Sequence, residues 1–250
     1  MTAQDHPLKR LHDDLALETP SLVSKRIDIL IRRKPISIPH SDCRGTIVLN
    51  SFLLVEANDF PWEMIGGKKP VTEYTTGDFD KAFKWVVSQV QRNTQDSEDF
   101  TSSPMNDLFM RSFLRMMADP TASRNIQKFI LRHEFGHVKY QHHTDNLVFP
   151  FCLPQDQREE AQADSFANKD PQACQGGVDL FKIMTEEGIN QRGSGKVHER
   201  ILSRFLIDSQ GNHRFDLEHP KATRRLKIAE LLLNPQKRGI RVPSWFKKVS

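Results

Sequence analysis

A chain of 250 residues is at the upper end of what one hydrophobic core serves, so a single domain is expected, with a β-containing part over 1–77 and a helical body over 78–250. A hydrophobic share of 37% with 27% charged residues argues against a disordered chain, and 36 Lys and Arg against 32 Asp and Glu describe a mixed, solvated surface rather than a nucleic-acid-binding one. Three widely spaced cysteines, Cys43, Cys152 and Cys174, have no CxxC or Cys-His spacing, which disfavours a disulfide framework and a closed zinc site and leaves reduced structural thiols.

Residues 1–17 mix charged, polar and apolar types without the apolar run of a signal peptide, and nowhere does the chain offer the ~18 to 20 apolar residues of a membrane helix. A cytoplasmic protein without membrane attachment is the expectation. Polar–apolar alternation over 26–31 and the β-branched, apolar run 46–56 predict two strands, and the second, if it lies at a sheet edge beside the metal, could hold substrate backbone as an added strand. Residues 60–77, with Gly66-Gly67 and Pro70, predict an irregular connection. Phe79, Phe83, Val86, Val87 and Val90 then recur at helical spacing to about Arg92, with a cap among Thr76, Gly77 and Asp78.

A second helical pattern over 106–117 is stopped by Asp119-Pro120, and further helices are predicted over 121–143, 155–168, 178–187, 197–207 and 219–233, with 188–195 as a loop. The predicted fold class is α+β: a mainly helical, zincin-like metallopeptidase domain with a small N-terminal antiparallel β element.

The residues that carry chemistry are His133-Glu134-Phe135-Gly136-His137. Positions i and i+4 share a helix face, so both imidazoles can reach one ion, while Glu134 aims at the neighbouring sector, as a base acting on metal-bound water does. Ile126, Phe129 and Ile130 make the preceding turns apolar, and Gly136 admits a close backbone approach. A catalytic zinc needs a third protein ligand, for which two candidates stand. His143, ten positions after His133, has the spacing of HExxHxxGxxH, but Tyr140 occupies the glycine position. Alternatively Glu160, one helical turn before Asp164, binds the metal while Asp164 accepts a hydrogen bond from a ligating histidine; small Ala161 and Ala163 would let the two helices pack closely.

The pair HExxH and ExxxD resembles the gluzincin peptidases of the HtpX and CAAX prenyl protease type. His142, Ala163-Asp164 followed by Ala167, and His219-Pro220 with Arg225 are similar to further segments of that group, over roughly 126–233. The resemblance implies a Zn2+ ion on His133, His137 and Glu160, Glu134 as general base, Asp164 behind the ligands, and Arg225 or His219 on the oxyanion. That group is usually membrane-embedded or exported. A version with neither kind of segment also resembles the phage-exclusion peptidases typified by Lit, which cut a host translation factor, and this implies a phage-defence, cell-death protease acting on a protein or peptide substrate.

Two other classes compete with the peptidase. One is a non-catalytic zinc-binding sensor or scaffold, against which Glu134 stands, because a protein that needs only the metal can lose that residue. The other is a nucleic-acid binder, drawn from the basic stretches 224–227 and 245–248, but no reading module accompanies them.

Overall fold

The computed structural model describes residues 28–32, 40–41, 46–50, 55–91, 104–140, 142, 153–193, 197–212 and 220–234. Strands β1 (Asp28–Arg32), β2 (His40–Ser41) and β3 (Thr46–Asn50) form one sheet in the order β1-β3-β2. β1 runs parallel to β3, with Asp28 opposite Thr46 and Arg32 opposite Asn50, while the two-residue β2 pairs antiparallel with His40 opposite Val48.

The expectation of an α+β fold with an antiparallel β element is therefore corrected. Helix dominates the described residues, and the two segments read as strands run parallel in a small mixed sheet. Alternation identifies a strand but not its direction, and residues 33–45 are about the dozen that a parallel crossover requires. The condition for 46–56 to hold substrate as an added strand is not met: β3 is the central strand, paired on both sides, and Ile47 is fully buried.

A short 3-10 turn, Ala57–Asp59, precedes the stretch read as irregular, and two more, Trp62–Ile65 and Val71–Glu73, lie within it. Seven helices follow among the described residues: α1 (Thr76–Gln91), α2 (Pro104–Ala118), α3 (Pro120–Tyr140), α4 (Leu153–Ala167), α5 (Pro171–Gly193), α6 (Val197–Leu206) and α7 (Ala222–Leu233). The cap of α1 is Thr75, one residue before the three expected. Its hydroxyl accepts from the Asp78 amide at 3.2 Å and the Asp78 carboxylate accepts from the Thr75 amide at 3.0 Å, a reciprocal capping box.

Asp119 ends α2 and also starts α3, accepting from the amides of Thr121 and Ala122 at 2.9 and 3.1 Å with Pro120 in the first turn. The same device opens α5, where Asp170 accepts from the Ala173 amide at 2.8 Å ahead of Pro171. Consequently α5 begins seven residues before the expected Val178 and runs through the 188–193 part of the expected loop. Gly176, Gly177 and Gly188 of α5 are close-approach positions: a β-carbon on Gly176 would lie 1.9 Å from the Asn125 carbonyl oxygen of α3.

Helix α3 is the centre of the packing, contacting α2, α4, α5, β2 and the 57–59 turn. Ile126 faces a core built from Phe60, Ile65, Phe79, Val86, Met110, Phe113 and Leu114. Phe129, one turn on, faces a second core with Ala167, Ala173 and Phe181, where Leu226 of α7 also packs. Each such large apolar side chain contributes about 1.5–3 kcal/mol on burial, so α3 is held from both sides. Cys174 is a free, buried thiol whose Sγ lies 3.5 Å from the Ala229 carbonyl oxygen, and burial pushes its pKa up to about 11; Cys43 and Cys152 lie outside the described residues. No helix among the described residues is long and apolar enough to cross a membrane.

Candidate metal site

The turn of α3 from Leu131 to Gly136 is buried on every side, so Arg132, His133 and Glu134 are polar groups removed from water. Burial of this kind is tolerated only when the groups find partners. Helix α4 supplies them for His133. The two helices cross at Gly136 and Ala163, where a β-carbon on Gly136 would lie 2.8 Å from the Ala163 Cα. Because Gly136 adjoins His137 and Ala163 adjoins Asp164, this crossing brings the His133/His137 face against the Glu160/Asp164 face.

The Nε2 atoms of His133 and His137 are 3.0 Å apart. One Glu160 oxygen lies 3.2 Å from His133 Nε2 and the other 3.1 Å from His137 Nε2. Donor atoms of all three residues fall within 4.8 Å of one another, and together they can hold a metal ion. Two imidazole nitrogens and a carboxylate are the three-ligand set of a catalytic zinc. Donors held tetrahedrally at about 2.0–2.1 Å from an ion stand ~3.4 Å apart, so the spacings found here need only a few tenths of an ångström of adjustment.

Behind the donors, His133 Nδ1 lies 3.0 Å from Asp164 Oδ1. Arg225 of α7 then donates twice to that carboxylate, Nε to Oδ2 at 2.7 Å and Nη2 to Oδ1 at 2.6 Å, while its guanidinium stands 4.5 Å from the centre of the Phe181 ring. The fork of two parallel bonds is the strong form of an arginine–carboxylate pair. Past the end of α3, the His142 amide donates to the His137 carbonyl at 3.0 Å. This folds the His142 ring onto His137, with Nδ1 to Nδ1 at 2.9 Å, and places His142 Nε2 2.8 Å from Gln162 Oε1.

The charges follow this arrangement. Burial alone would depress the His133 pKa, but the Glu160 and Asp164 carboxylates outweigh it and push it up to about 10. Burial likewise opposes ionisation of Glu160 and Asp164, yet His133 holds the first well below the usual carboxylate range and Arg225 with His133 lowers the second. His137 is shifted down by its burial.

Of the residues singled out in the sequence, His133, His137 and Glu160 converge, Asp164 and Arg225 stand directly behind them, and Glu134 is buried on the same helix. His143 and His219 lie outside the described residues. Gln162 and Phe181 carried no sequence signal. Gln162 is about 200° around α4 from Glu160, off the face that the Glu160–Asp164 spacing marks, and Phe181 reads as ordinary core.

No protein-family model, no curated protein and no solved structure matches this chain. The site therefore stands on its own geometry.

Proposed function

We propose that this chain is a zinc-dependent endopeptidase acting on a protein or peptide substrate. The observation that carries the reading is the convergence of His133, His137 and Glu160, with Asp164 braced by Arg225 behind His133. Zinc in such a site supplies Lewis acidity, which activates water near neutral pH and polarises a carbonyl. His133, His137 and Glu160 would hold it.

Asp164 accepts from His133 Nδ1–H, which leaves Nε2 as the donor and keeps the ring turned toward the site. Glu134 is the general base: its carboxylate takes a proton from the attacking water and returns it to the departing amine nitrogen as the C–N bond breaks. Burial at 4% exposure keeps bulk water from competing for that carboxylate. Because Arg225 spends two donors on Asp164, we assign it to positioning rather than to the oxyanion.

The test is metal content and proteolysis of a mixed protein substrate, on wild type and on Glu134→Ala, Glu160→Ala and His143→Ala. One zinc per chain is expected in wild type, Glu134→Ala and His143→Ala, with activity gone from the first variant and zinc gone from Glu160→Ala. Wild type without zinc, or with iron in its place, overturns the reading; bound zinc without cleavage of any protein in a proteome digest overturns its peptidase half.

A further inference from the structure

His133 has an anionic acceptor on its Nδ1, but His137 does not. The atom facing its Nδ1 is another imidazole nitrogen, Nδ1 of His142, at 2.9 Å. Two ring nitrogens make a hydrogen bond only when one carries the proton and the other is bare. What decides between them is the far end of the chain, where His142 Nε2 lies 2.8 Å from Gln162 Oε1. An amide oxygen only accepts, so His142 Nε2 carries the hydrogen and, in the neutral ring, His142 Nδ1 is bare. It then accepts from His137 Nδ1–H, which leaves His137 Nε2 with its lone pair, and this is the atom that faces Glu160 and His133 Nε2.

We propose that His142 and Gln162 are positioning residues that fix the tautomer and ring orientation of His137 for metal binding, as Asp164 and Arg225 do for His133. The inference rests on the metal reading above. The two supports differ in chemistry: one is an arginine-braced carboxylate, the other a neutral relay ending on an amide. The His142 ring is itself held, stacked on Tyr140 at 5.7 Å between centroids with 25° between planes, and tied by its backbone amide to the His137 carbonyl. The relay therefore joins three points, the end of α3, the residue two beyond it, and α4.

The experiment measures zinc affinity by competition with a chromogenic chelator, together with thermal melting of the metal-free proteins. The variants are His142→Phe, His142→Asn, Gln162→Leu and Gln162→Glu. Phenylalanine keeps the ring packing and removes both nitrogens; asparagine returns an acceptor, its Oδ1, to the place of Nδ1. His142→Phe is expected to weaken zinc by about 10- to 100-fold, with most of the loss recovered in His142→Asn. Gln162→Leu should weaken zinc where Gln162→Glu, which still accepts, does not. Wild-type affinity in His142→Phe overturns the proposal and leaves the metal site standing, as does an asparagine variant no better than phenylalanine. A wild type that binds no zinc removes both readings.

Discussion

Gly136 and Ala163 touch where α3 and α4 cross, so closely that a β-carbon on residue 136 would stand 2.8 Å from the Ala163 Cα and 3.2 Å from its carbonyl oxygen. The obstacle is backbone, which cannot rotate away. Gly136→Ala must therefore part the two helices that carry the donors. Overpacking of this kind costs about 1–3 kcal/mol, against a helix-propensity gain of about 1 kcal/mol for alanine over glycine. A net loss of up to about 2 kcal/mol in chemical denaturation is expected, accompanied by reduced zinc occupancy. Gly193→Ala is the control, because a β-carbon there meets nothing within 4 Å, and it should cost no stability. Full zinc occupancy in Gly136→Ala would show that the crossing does not set the donor spacing.

Arg225 separates two roles by experiment. With Nε and Nη2 both on Asp164, Arg225→Met leaves that buried carboxylate without its guanidinium partner, with His133 still on it. Breaking a buried pair from one side costs about 3–5 kcal/mol, and loosening the support of a ligand weakens zinc by about 10- to 100-fold. Arg225→Lys keeps the charge but not the fork, so its effect on zinc should fall between those of methionine and wild type. An Arg225→Met protein that holds zinc as tightly as wild type and loses only turnover would place the guanidinium on the reacting substrate.

Asp208, which is not among the metal donors, predicts an acid-dependent loss of stability. Its carboxylate accepts from the amides of Gln210 and Asn212 at 2.9 and 3.0 Å, from the Asn212 side chain, and from Lys221 at 3.3 Å. Asn212 in turn accepts from the Thr223 amide at the start of α7, the helix that carries Arg225. Burial opposes ionisation, but these bonds lower the folded-state pKa to about 2 from an ordinary value of 3.8. A depressed carboxylate pKa means that its stabilisation is complete above the unfolded value and is lost as pH falls through the folded one. Wild type should therefore exceed Asp208→Asn in stability at pH 6, with the gap closing between about pH 4 and pH 2. A gap of constant size over that range would remove the carboxylate from the account.

Much of the helical body was legible because its signals are local. Phe79, Phe83 and Val86 are buried on one face of α1, as their spacing requires. Asp170-Pro171 repeats the Asp119-Pro120 device and was equally readable as a helix start, yet the glycines that follow it obscured the continuation to Gly193. Gly176, Gly177 and Gly188 mark contact rather than flexibility, and only the position of a neighbouring segment can reveal that. The strands were recognisable, but their relative direction was not, since alternation has no sense along the chain.

From sequence alone, the four-residue spacing of His133 and His137, and of Glu160 and Asp164, determined that each pair shares one helix face, because helical periodicity follows from local backbone geometry. Tertiary structure decided which atoms meet. It set Glu160 across both imidazoles, placed Arg225 on Asp164, and turned His142 back onto His137 with Gln162 behind it. Those partners are 20 to 61 residues apart, or lie past a helix end, and no periodicity encodes their distances. They are fixed by how closely α3, α4 and α7 can pack.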